Sequence, residues 1–155
     1  DSHTSLPEDL RPWPLLQADL QPFRALIAAG IPAIMPAHCL YPAVDPRGPA
    51  GFSRRWLQGI LREELGFQGI IVSDDLVMAG AAVIGDMAAR VQTALSAGAE
   101  LLLVCNDRSA VEEALTVLHR HRLPQPRLEA LQGRPAASVL RPAARDAIRA
   151  RLARL

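Results

Sequence analysis

The chain predicts an α/β fold in which helices return the backbone to parallel strands, and three observations carry that prediction. Helix, glycine, apolar strand and polar tip follow one another three times, with Gly30, Gly66 and Gly98 spaced 36 and 32 residues apart. Intervals of that size suit a βα repeat. The strand runs are continuously apolar instead of alternating, as they are when both faces of a sheet are covered. Each run ends on groups able to do chemistry: His38, Asp74 with Asp75, and Asn106 with Asp107. Such groups at the carboxyl ends of parallel strands are where βα-barrels and open α/β sheets build their sites.

Taken in order, the first unit predicts a helix from Pro22 closed by Gly30, then a strand over 31–38. The second runs as an amphipathic helix over 54–65, Gly66, and a strand over 69–75. The third is a helix from Met87 to Ala97, Gly98, and a strand over 99–106. Glycine after each helix supplies the left-handed residue that lets the chain reverse direction. Residues 109–122 read as a further helix, with Ser109 as N-cap and Glu112 at the capping-box position. Prolines break 124–142 into a loop with a short helix, and 143–155 forms an arginine-rich amphipathic helix. Three strands are too few for a barrel, which takes eight strands and about 250 residues. The chain therefore reads as the back half of something larger.

Half of the 155 residues are hydrophobic, 21% are charged and the net charge is +1. This is a globular composition, and it gives no reason to expect nucleic acid or a membrane surface as partner. No apolar run approaches the roughly 20 residues of a membrane span. All 17 basic residues are arginine, which rules out a lysine nucleophile or Schiff base in this chain. Cys39 and Cys105 both follow apolar runs and read as buried free thiols, suited to a reducing compartment. No spacing makes a zinc site.

Two constellations carry chemistry. Asp74 is a carboxylate on a rigid strand end and reads either as a nucleophile or as a helix cap beside an ion-paired neighbour. Asp75 is the more structural of the two, because adjacent strand residues point to opposite sides. Asp1 and His3 lie two apart, so in an extended loop the carboxylate can hold one imidazole nitrogen and leave the other free for proton transfer. His38 can line a pocket or satisfy backbone groups. His119 and His121 read as surface residues, and Trp13 and Trp56 as isolated packing residues.

Taken together, these residues resemble the family 3 glycoside hydrolases, specifically the bacterial cytoplasmic β-N-acetylglucosaminidases of peptidoglycan recycling. The resemblance runs through 1–7, 33–38, 41–46, 61–67, 72–78 and 103–106, and rests most on the Asp1-Ser2-His3 loop together with Ser73-Asp74-Asp75-Leu76. It implies the carboxy-terminal portion of a (β/α)8 TIM-type barrel, about strands six to eight plus the C-terminal helices. Residues 1–155 would then be a partial N-terminal-type barrel domain of that family, opening inside the fifth βα loop. The family's Lys-His pair before the Asp-x-His loop, and its sugar-binding aspartate and arginine side chains on earlier strands, have no counterpart here.

The implied reaction is retaining. Asp74 attacks the anomeric carbon, and His3, oriented by Asp1, serves as acid and then base, where most retaining enzymes use a second carboxylate. His38, Asp75 and Met78 are the candidate sugar contacts. The implied substrate is a terminal β-linked N-acetylglucosamine on a muropeptide or anhydro-muramic acid, in the cytoplasm, with no metal or organic cofactor. One rival reading keeps the same residues as a phosphorylase with phosphate as acceptor; another is an inactive barrel half acting only as a binding or assembly module. Exposed sheet edges predict a homo-oligomer or poor solubility in isolation.

Overall fold

A computed structural model of the chain describes residues 1–119 together with Leu131, Gln132, Ala143, Asp146, Arg149 and Ala150. The expected loop over 124–142 and His121 therefore lie outside the described residues, apart from Leu131 and Gln132. Of the expected helix over 143–155, the four described residues are helical and exposed.

The sheet has three parallel strands in the order β1 (Ala33–Ile34), β2 (Ile70–Asp75), β3 (Leu101–Leu103). Their carboxyl ends lie on one side, as the repeat predicts. β1 is only two residues long, far shorter than the apolar run 31–38 suggests. Pro32 and Pro36 flank it, and neither carries an N–H to donate to a ladder. Pro32 contributes only its carbonyl, which accepts from the Ile70 N–H at 2.9 Å.

Helices α1 (Trp13–Asp19) and α2 (Gln21–Ala28) precede β1, with a proline in the first turn of each. Between β1 and β2 come a 3-10 turn (Ala50–Phe52) and a π-helix (Arg55–Glu64). The predicted periodicity over 54–65 is thus helical but wider than α. The Leu65 N–H reaches back five residues to the Ile60 carbonyl at 2.9 Å, the hydrogen-bond spacing that defines a π turn. After β2 follow α3 (Ala79–Ala82) and α4 (Met87–Ala97), and after β3 follows α5 (Arg108–Leu118). Gly30, Gly66 and Gly98 adopt φ of 82°, 69° and 117°, the left-handed caps the sequence predicts. α5 starts one residue earlier than expected, because Asp107, not Ser109, is its N-cap and accepts from the Ala110 N–H at 3.0 Å.

The core lies between the sheet, the π-helix and α4. Leu57, Phe67, Ile71, Leu76 and Val91 are each no more than 1% exposed. Alanines at 94, 97, 110 and 114 belong to the core where α4 packs on α5, keeping the two helices close. One polar clamp fixes the start of β2. Arg62 donates to the carbonyls of Phe67 and Gly69 at 2.8 and 2.6 Å and to Glu100 at 2.6 Å. Glu100 in turn accepts from the Ile71 N–H at 3.1 Å. The guanidinium also lies 5.1 Å from the centroid of Phe67, within cation–π range.

Candidate active site

The site begins where β2 leaves the sheet. Val72 lies opposite Leu101, but Asp75 lies opposite Leu103, so three steps along β2 match two along β3. The extra residue makes a β-bulge, a device that re-aims side chains at the ends of strands. Ser73, 2% exposed, fills the gap in the ladder: its hydroxyl oxygen accepts from the Leu103 N–H at 2.9 Å. Nothing in the sequence marks this bulge.

The two aspartates are employed differently. Asp75 Oδ1 accepts from the Val77 and Cys105 N–H groups, both at 3.0 Å. Its carbonyl accepts from Met78 N–H and from His38 Nε2, each at 3.2 Å. Asp75 thus ties the strand exit to the tip of β3. Asp74 is half-buried, and its Oδ1 accepts from the neighbouring Asp75 N–H at 2.9 Å. Arg90, reaching from α4, donates to the Leu76 carbonyl at 2.8 Å and holds the same exit from the other side.

The loop at residues 1–9 approaches this strand end. His3 Nδ1 donates to Asp1 Oδ1 at 2.9 Å, and the His3 N–H reaches the same oxygen at 2.9 Å. Thr4 and Ser5 N–H groups both close on the Asp1 carbonyl at 3.1 Å, which makes the pair part of a tight turn. Both side chains are well exposed, and Nε2 is the ring nitrogen not engaged by Asp1. The Gly80 N–H donates to the Ser2 carbonyl at 2.9 Å, so the loop is docked on the segment that follows Asp75. Leu40 N–H to the Pro7 carbonyl and Asp9 N–H to the Leu40 carbonyl, both 2.9 Å, fasten the rest of it beside β1's exit.

Three residues expected to touch a ligand have other contacts. His38 is wholly buried and stacked on Phe52. Asp75 has spent Oδ1 on backbone amides. Met78, 8% exposed, packs in the core at the N-terminus of α3. His38 and Met78 are thus buried, and Asp75 is half-buried with Oδ1 engaged by backbone. Burial pushes the His38 imidazole below its ordinary pKa, opposed by the nearby Asp74 and Asp75. Desolvation, then Asp75 and Asp74, push the Cys105 thiol up, so it remains a thiol.

The remaining tips and aromatic residues are structural. Asp107 caps α5, and Asn106 takes a left-handed φ of 59° in the turn before it. His119 is exposed, as predicted, with Nδ1 on the Leu115 carbonyl at 2.7 Å. Trp13 and Trp56 are not isolated: their rings meet edge to face at 6.1 Å, and Tyr41 meets Trp56 at 5.1 Å. Burial, followed by a hydrogen bond with Cys39, pushes the Tyr41 hydroxyl up to about 12. Asp45, Arg47 and Ser53 brace the loop before the π-helix. Among the described residues no group of three or more His, Cys, Asp or Glu side chains is arranged to hold a metal, and no helix is long and apolar enough to cross a membrane.

Comparison with known proteins identifies the family. Residues 1–136 match the glycosyl hydrolase family 3 N terminal domain. A β-hexosaminidase of Pseudomonas aeruginosa is 53% identical over 141 residues, covering 90% of this chain and 42% of the relative. One from Thiobacillus denitrificans is 47% identical over 153 residues, covering 96% of this chain and 42% of the relative. NagZ from Neisseria gonorrhoeae, solved in complex with N-trifluoroacetyl-D-glucosamine, superposes with a TM-score of 0.69 at 42% identity, over 84% of this chain and 36% of that one. The chain therefore spans about two fifths of the length of the curated relatives it matches. With residues 1–136 matching that family's N-terminal domain and relatives at about half identity, the chain belongs to glycosyl hydrolase family 3.

Proposed function

We propose that this chain is the portion of a β-N-acetylglucosaminidase that carries the nucleophile and the acid/base, corresponding to strands six to eight of a (β/α)8 barrel. The observation that carries the reading is the division of labour at β2. Asp75 is committed to backbone amides, while Asp74 stands on a bulge at the same sheet end as an exposed His3–Asp1 pair. Relatives named β-hexosaminidase, and a neighbour solved with an N-acylated glucosamine, support β-linked N-acetylglucosamine as the sugar.

In the proposed cycle a carboxylate oxygen of Asp74 forms a bond to the anomeric carbon as the glycosidic bond breaks. His3 Nε2–H gives its proton to the departing oxygen, leaving a glycosyl ester on Asp74. A water then attacks that carbon, His3 takes its proton, and the ester bond to Asp74 breaks, so configuration is retained overall. Asp1 holds Nδ1–H and thereby fixes the tautomer. A terminal N-acetylglucosamine of a muropeptide is the substrate, and the cytoplasm, where the free Cys39 and Cys105 stay reduced, is the compartment. β1 and β3, the edges of the described sheet, offer unpaired backbone groups through which copies can associate.

The test is chromophore release from an aryl β-N-acetylglucosaminide by this chain, alone and combined with the amino-terminal part of a family relative. Asp74→Asn is expected to lower the rate on the order of 10⁴-fold, as loss of a nucleophile does. Equal rates with and without Asp74 would sink the assignment, and a glycosyl phosphate as product would move the acceptor from water to phosphate.

A further inference from the structure

His38 has no place in the cycle just described, yet it is among the most constrained side chains in the molecule. It is 0% exposed, and its ring stacks on Phe52 with centroids 4.8 Å apart and planes 11° from parallel. A Cβ on Gly51 would lie 3.1 Å from Nδ1, and one on Gly80 would lie 3.0 Å from the His38 Cβ. A side chain at either position would press on the ring's residue and require a shift of a few tenths of an ångström. Nε2 lies 3.2 Å from the Asp75 carbonyl oxygen, while Nδ1 is buried without a hydrogen-bond partner.

These contacts fix the protonation state. A carbonyl oxygen can only accept, so Nε2 carries the proton and donates. Protonating Nδ1 as well would bury a cationic N–H with nothing to receive it, which costs several kcal/mol. The charged groups that face the ring, Asp74 and Asp75, do not outweigh that desolvation. Phe52 and Gly51 on the 3-10 turn, and Gly80 on α3, bring no charge.

We infer that His38 is a positioning residue for Asp74, acting through Asp75 as a permanently neutral Nε2–H donor. Asp75 is gripped at both ends of its backbone. Its N–H is donated to Asp74 Oδ1 at 2.9 Å, and its carbonyl is held by His38 and by the Met78 N–H. The carbonyl and the N–H belong to the two peptide units that flank the Asp75 Cα, so the grip on the carbonyl restrains the residue whose N–H orients the Asp74 carboxylate. His38 never meets the substrate; it sets the angle from which Asp74 attacks. The inference rests on Asp74 as nucleophile.

The test uses the chain with ¹⁵N-labelled histidine, with His38→Gln keeping an N–H donor and His38→Leu removing it. The expected ring spectrum shows one protonated Nε2 and one bare Nδ1, unchanged between about pH 5 and 8, where an ordinary imidazole titrates. His38→Leu is expected to move the Asp75 and Leu76 amide signals and the Asp74 carboxyl ¹³C signal, and His38→Gln to bring them back towards wild type. In the assembled enzyme, His38→Leu is expected to lower kcat about 10- to 100-fold with KM little changed, the effect of misplacing a reacting group. A titrating ring, an Nδ1–H tautomer, or equal shifts in both variants would overturn the positioning role. Absence of turnover in the unaltered enzyme would overturn only the functional reading, since the tautomer and the Asp75 signals are read without substrate.

Discussion

Replacing Asp45 with asparagine tests whether the loop before the π-helix is held by charge. The Asp45 carboxylate is 4% exposed, takes Arg47 Nε–H at 2.8 Å and Ser53 O–H at 2.6 Å, and Ser53 in turn accepts the Trp56 N–H at 3.3 Å as the π-helix begins. The Arg47 hydrogen bond first, and the Ser53 hydrogen bond after it, draw the carboxyl from its ordinary 3.8 to about 2, against the opposing effect of burial. A shift of nearly two units corresponds to a ceiling of about 2.5 kcal/mol. Because the Arg47 side chain is 81% exposed and screened by water and salt, about 1 to 2 kcal/mol is the expected share.

The sign follows from the direction of the shift. A carboxyl whose folded pKa is depressed stabilises the fold above its unfolded pKa and loses that contribution as pH falls through the folded one. Urea unfolding followed by circular dichroism should therefore show Asp45→Asn less stable by about 1 to 2 kcal/mol at pH 7, or about 2 to 8 °C in Tm. The gap should narrow from about pH 4 downward and approach closure near pH 2. A gap of the same size at about pH 3 as at pH 7 would refute the charge argument and leave hydrogen-bond shape as the cause.

Two further substitutions probe the frame of the site. Gly80→Ala would set a methyl 3.1 Å from the His38 carbonyl and 3.3 Å from the Ser2 carbonyl; a destabilisation of about 1 to 2 kcal/mol and faster hydrogen exchange at residue 80 are expected, and an unchanged exchange rate would show that the 1–9 loop does not depend on this docking. Arg62→Met leaves Glu100, 22% exposed in its side chain, facing the Ile71 N–H without its guanidinium. Unfolding should become easier by about 2 to 4 kcal/mol, and a loss below about 1 kcal/mol would mean that solvent replaces the clamp.

The repeating frame is legible in the sequence because its punctuation is local. Gly30, Gly66 and Gly98 each end a helix with a left-handed residue, and that requirement needs no knowledge of the rest of the chain. The Asp1–His3 contact is equally local, two residues apart in one turn. What escapes the sequence depends on pairing across distance. Asp75 meets Cys105 thirty residues later, and the bulge exists only relative to β3. The burial of His38 needs Phe52, Gly51 and Gly80 to arrive from three different places. The π-helix hides because 54–65 has an apolar face that suits an ordinary helix as well. Ser109 loses the cap to Asp107 because two good capping residues stand two apart and only tertiary position chooses between them.

The bulge in β2 also makes the placement of the two aspartates a matter of counting. With Val72 opposite Leu101, an uninterrupted ladder would seat residue 74 opposite Leu103, in the slot that Asp75 now occupies. Deleting Ser73 would restore an even count with Asp75 still opposite Leu103, and would draw Asp74 into the single ladder position left between Val72 and Asp75. The two carboxylates are chemically identical, and the number of residues between Val72 and Asp75 decides where each of them lies relative to β3. Length changes of one residue in this strand should therefore be far less tolerated than most substitutions within it.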